Sequence, residues 1–140
     1  MKQTKTLLRV VPLLLVLALL LSACSSTPVS WENATYKTDA EVGSGATTVT
    51  VKVTAEDKTV TITLHTDKAD LAEAMLAENL CAGEEGAYGL YIKYVNGIRA
   101  DYDLDNGYYW MLVVNGEDSM IGASGTPVFA GDVYEFVRTK

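Results

Sequence analysis

The chain has 140 residues, room for one domain and too few for a comfortable two. Eleven Lys and Arg stand against eighteen Asp and Glu, a net charge of −7. That balance excludes functions that depend on gripping nucleic acid or anionic lipid headgroups, both of which an acidic surface repels.

The first element is not part of a folded domain. Lys2, Lys5 and Arg9 open the chain, and Val10 to Leu21 is apolar apart from Pro12. A basic start, an apolar run of about 7–15 residues and small residues before a cut describe a secretory signal. The run falls short of the roughly 20 apolar residues that a spanning helix needs. Leu21-Ser22-Ala23-Cys24 resembles the lipobox of bacterial lipoproteins. The resemblance implies a signal peptide over 1–23, removed by cleavage, and fatty acylation (palmitate) on Cys24. The protein would then sit in the bacterial cell envelope, lipid-anchored and facing outside the cytoplasm, its acyl chains contributing about 0.8 kcal/mol per buried methylene. Loss of 1–23 leaves eight basic residues against eighteen acidic ones, a charge of −10. Such a head can attract cations or basic partners.

Residues 24–45 mix Ser, Thr, Gly and charges and read as a flexible tether, with Trp31 and Tyr36 able to dock onto the domain. From 46 onward the pattern is that of a fold. Val49, Val51 and Val53 alternate with polar residues, as do Val60, Ile62 and Leu64. This is the period of two expected of half-buried strands. The link Ala55 to Lys58 makes them a hairpin. A helix follows, with Asp67 as its cap and Ala72, Met75, Leu76 and Leu80 as its apolar face. Gly83 and Gly86 end the helical pattern.

Leu90, Ile92 and Tyr94 then mark a strand that Asn96-Gly97 turns. Tyr108 to Val114 is apolar on both faces, which predicts a central strand. Asn115-Gly116 is another tight turn, and 118–122 reads as a short return strand. The loop 122–127 follows, and Val133 to Val137 closes the domain. The order predicts an α+β fold over 46–140: a mixed β-sheet with one packed helix, β-grasp-like.

The chemistry-bearing residues are few. Asp101, Asp103 and Asp105 alternate in the manner of a calcium loop, but position 6 is Asn106 and position 12 is Leu112, where an EF-hand needs Gly and Glu. Weak calcium binding stays open. An acid–base pair would need a cleft that separates the two pKa values. The simpler reading is a turn at Asp105-Asn106-Gly107, with the acids keeping a surface loop soluble. Cys81 is left as the one cysteine after Cys24 and is expected to be a buried small hydrophobe. Nothing in the spacing pairs it with His65. No nucleophile–base pair or zinc-ligand cluster is evident, so no enzymatic activity is expected.

Tyr88-Gly89, Val95-Asn96-Gly97-Ile98, Gly107 with Tyr109-Trp110, Asn115-Gly116, Gly122, Thr126-Pro127 and Gly131-Asp132 with Tyr134 together form an ordered set. The set resembles the transcobalamin-like C-terminal domain family, found in many bacterial surface lipoproteins and at the end of vertebrate cobalamin carriers. The resemblance covers about 46–140 and implies a β-rich domain with one helix and a binding role. In the carriers this domain closes on cobalamin together with a helical partner domain. A head alone would cover one side of so large a ligand.

Tyr102, Tyr108, Tyr109 and Trp110 are the candidate ligand-binding residues, because flat rigid rings with polar tips suit a corrin, a glycan or a protein. Two functions remain open. One is a ligand-binding module, with cobalamin or another corrinoid as possible ligand and no resident cofactor or metal. The other is an adhesion or scaffold lipoprotein whose head contacts an envelope protein or a glycan.

Overall fold

The computed structural model describes residues 31–140. The expected signal peptide over 1–23 and the expected acylation at Cys24 lie outside the described residues. Among those described, no helix is long and apolar enough to cross a membrane.

The fold is α+β and mostly sheet, as expected, but it holds two sheets where one was predicted. The strands are β1 (Ala40–Gly43), β2 (Thr47–Ala55), β3 (Lys58–Thr66), β4 (Cys81–Gly86), β5 (Gly89–Val95), β6 (Ile98–Arg99), β7 (Tyr109–Val114), β8 (Glu117–Asp118) and β9 (Val133–Thr139), with helix α1 (Leu71–Ala77) between β3 and β4. Six strands form a mixed sheet in the order β1-β3-β2-β9-β7-β8, and β4-β5-β6 form a second, antiparallel sheet. β5 of the second sheet runs against β7 of the first.

The β2–β3 hairpin follows directly from its alternation. Val49 pairs with Leu64, Val51 with Ile62 and Val53 with Val60. All six are buried, so the pairs present one apolar face to the core. The turn is Glu56-Asp57, with Glu56 in the left-handed region.

Five expectations are corrected. The segment 31–45, read as tether, is ordered and belongs to the domain: β1 pairs in parallel with β3, Ala34 is buried and Trp31 Nε1 donates to Ala55 O at 2.9 Å. Its polar composition hid this, because backbone pairing needs no apolar side chains. The helix is capped by Asp70, whose side chain accepts from Glu73 N, while Asp67 Oδ1 accepts from Ala46 N. Starting the helix there buries Leu71, Ala72, Ala74 and Met75 and leaves Leu76 exposed. Residues 81–86, read as the helix end, form β4, and the return strand expected over 118–122 is reduced to Glu117–Asp118.

The fifth correction concerns β7, which was expected at the centre and lies next to the short edge strand β8. The centre belongs to β2 and to β9, which pairs in parallel with β2 and antiparallel with β7. β9 carries Tyr134 and Phe136, the two largest fully buried side chains, and such bulk requires neighbours on both sides. The hydroxyl of Tyr134 reaches Pro127 O at 2.8 Å and Asp132 Oδ2 at 2.9 Å. Burial, with Asp132 beside it, pushes that phenol up to about 12.

Candidate functional site

The acidic stretch is a locked turn. Asp101 and Asp105 are buried, so they do not serve as solvated surface charges. Arg99 Nε and Nη2 clasp the Asp105 carboxylate, which also accepts from Asp101 N at 2.8 Å. Asp101 accepts from Asp103 N and Leu104 N, and Lys93 Nζ stands 3.2 Å from its other oxygen. Burial pushes both carboxyls up. The hydrogen bonds from Lys93 or Arg99 and from the backbone N–H groups outweigh it and hold them below the ordinary range. Their lone pairs are thus committed to protein donors. Among the described residues no three His, Cys, Asp or Glu side chains are grouped to hold a metal ion.

Cys81 and His65 do not form a pair. The ring nitrogens of His65 are engaged by Thr48 Oγ1 at 2.8 Å and Glu41 Oε1 at 2.5 Å. Cys81 is buried at the start of β4, and burial pushes its thiol up to about 12, far from the thiolate that nucleophilic work requires.

An apolar cleft of about 130 Å³ opens between the two sheets. β5 supplies Leu90, Tyr91 and Ile92; β7 supplies Tyr109, Trp110 and Leu112; β9 supplies Phe136; Gly122 and Ala123 complete the wall. Tyr91 and Tyr109 are 47% and 37% exposed, while Trp110 retains only 9%. The Trp110 indole Nε1 is shut off from water and bonded to nothing. No charged side chain lines the cleft.

The wall formed by 122–123 is held by the helix. Asp70 accepts from Glu73 N with one oxygen and from Gly125 N, at 2.7 Å, with the other. Leu71 N donates to Thr126 O and Ala72 N to Ala123 O. On the opposite side Ser124 Oγ accepts from Leu90 N at 3.0 Å, and Gly89, at φ +99°, leaves no room for a Cβ, which would stand 2.5 Å from Ser124 Cβ. The 122–127 loop therefore joins helix, hairpin and cleft.

Of the four predicted residues, Tyr109 and Trp110 line this cleft and the other two do not. Tyr108 lies under the Arg138 guanidinium, 4.0 Å from its ring centre. Tyr102 is exposed beside Gly107. Sequence reasoning missed Leu90, Ile92, Leu112 and Phe136 as lining residues. Alternation had put Leu90 and Ile92 on one face of their strand, but only the meeting of two sheets leaves such a face incompletely covered.

A family model described as a domain of unknown function (DUF4430) matches residues 69–137. A solved protein from Ruminococcus gnavus ATCC 29149, provisionally described as metal binding, is 32% identical, with a TM-score of 0.62. The match covers 67% of this chain and 97% of that one. The two proteins belong to one family. Haptocorrin solved in complex with Cbi is also similar, at 21% identity and a TM-score of 0.47, over 67% of this chain and 25% of haptocorrin. No curated protein matches the chain.

Proposed function

We propose that this protein is a ligand-binding module of the bacterial cell envelope, not an enzyme, and that the cleft between β5 and β7 is its binding site. The observation that carries the reading is an apolar, aromatic-walled cleft left open between two sheets. Such concavities, with few polar groups, are where small molecules bind. Exposed Tyr91 and Tyr109 at its wall offer rigid contact area.

Resemblance to the transcobalamin-like family supports a corrinoid as the ligand class to test first. A cleft of about 130 Å³ would take only an edge of so large a molecule, and the rest would lie across the exposed tyrosines. Direct metal binding, the description given to the Ruminococcus gnavus protein, finds less support here, because Asp101 and Asp105 already serve Lys93 and Arg99. The basic, apolar and Leu21-Ser22-Ala23-Cys24 pattern supports anchoring through Cys24.

Titration of the chain from Ser25 onward with cobinamide and cobalamin tests the ligand. Saturable heat that Tyr91→Ala and Tyr109→Ala both weaken supports the proposal. Absence of heat at millimolar ligand removes corrinoids and leaves the adhesion or scaffold reading. That reading is favoured by the near-complete exposure of Tyr88 and Met120, each 97%. Mass spectrometry of the membrane-extracted protein tests the anchor: acyl mass on Cys24 is expected, and an unmodified Cys24 rejects it.

A further inference from the structure

We propose that the free edge of β4 is a docking strand for an extended segment of another protein that carries two successive basic residues. This surface is separate from the cleft, whose lining includes no residue of β4.

Three observations carry the proposal. The first is an unpaired backbone. β4 is the outer strand of the β4-β5-β6 sheet. Cys81 is buried, but every residue from Ala82 to Gly86 is exposed. Among the described residues, 82–86 make no backbone hydrogen bond beyond the ladder with β5. An edge strand turns alternate N–H and C=O groups outward, a ready template for one more strand. The other sheet edges offer less, since β6 and β8 have 2 residues each and β1 has 4.

The second is room. Gly86 lies outside the left-handed region, and a Cβ there would stand 3.5 Å from Gly89 O, an ordinary contact. The fold therefore does not require a glycine at that place, and bare backbone lets another chain come close.

The third is charge. Glu84 and Glu85 point to opposite faces of β4, where they stand across from Tyr91 and Leu90. Glu84 shares Lys93 with Asp101, while Glu85 has no ion pair among the described residues. A second copy of this chain, paired along β4, would set its own glutamates beside these, and like charges across a strand pair repel. Two successive Lys or Arg residues on an incoming strand instead place one positive charge on each face.

The hexapeptide TVKKVT, capped at both ends, is titrated into the ¹⁵N-labelled chain from Ser25 onward, which keeps all the described elements. Shifts are expected at the amides of 82–86, with slower hydrogen exchange there. N-methylation of one alternate set of peptide amides is expected to abolish binding and methylation of the other set to spare it, because only one set faces β4. Glu85→Lys, at an exposed position, is expected to weaken binding about tenfold, and TVEEVT is expected not to bind. Equal binding by both methylated peptides would reduce the contact to charge alone and overturn the strand pairing. Unmoved 82–86 amides at millimolar peptide also overturn the proposal. So does protection of 82–86 that rises with the concentration of the chain by itself, which would give the edge to a second copy. None of these outcomes bears on the cleft, which its own ligand titration tests.

Discussion

Arg99 holds Asp105 with two nitrogens, Nη2 at 2.9 Å from Oδ1 and Nε at 3.0 Å from Oδ2. The Asp105 side chain is almost fully buried and the Arg99 side chain mostly so. The pair fixes the turn that leads into β7 and so sets where Tyr109 and Trp110 stand. Removing one partner strands the other. Asp105→Ala is expected to lower unfolding free energy by about 2–3 kcal/mol, read from urea melts. A loss within experimental error would show the pair to be a surface contact.

The same turn sets the acid limit. Asp101 and Asp105 have folded-state values below the ordinary carboxylate value. Their contribution is therefore present above about pH 4, where unfolded carboxyls ionise, and is lost as pH falls through the lower folded values. Thermal midpoints should drop below pH 4, and Asp105→Asn should flatten that fall. An unchanged acid profile in the variant would assign acid unfolding to other groups.

Asn96 and Tyr36 tie the amino-terminal segment to the domain. Tyr36 N donates to Asn96 Oδ1 and Asn96 Nδ2 to Tyr36 O, both at 2.8 Å, and Asn96 is fully buried. Asn96 also adopts φ +53°, which Ala resists. Asn96→Ala should cost about 2–4 kcal/mol and open residues 31–45 to protease. Gly97→Ala should act similarly, since a Cβ there meets Asn33 O at 2.5 Å with φ +78°. Resistance to protease equal to the parent would contradict this.

Cys81 should report on unfolding. Its thiol value rises from 9.0 to about 12 in the fold, so the neutral thiol is favoured. That stability is complete below the unfolded value and drains away as pH rises from about 9 towards 12. Ellman's reagent at pH 8 should leave the native thiol unmodified and react fully in urea. Rapid native labelling would mean that β4 opens readily.

Cleft and turn aromatics should separate in a binding assay. Tyr91→Ala and Tyr109→Ala should each weaken a cleft ligand about tenfold, while Tyr102→Ala should leave it unchanged. Gly89→Ala should also weaken it, because the added carbon displaces Ser124 and the wall beside it. Equal effects at Tyr102 and Tyr109 would move the site to the turn.

The sequence by itself determined the β2–β3 hairpin and the turns at Asn96, Asn106 and Asn115, all at positive φ. These are local matters, decided by a period of two and by backbone conformations that few residues adopt. The tertiary structure alone decided that β9 enters beside β2, that β1 joins the sheet and that two buried aspartates face Lys93 and Arg99. It also decided that Trp110 has no partner for its N–H. Each depends on which segments meet across many residues, and a backbone edge or a carboxylate carries no sequence mark of the partner it will find.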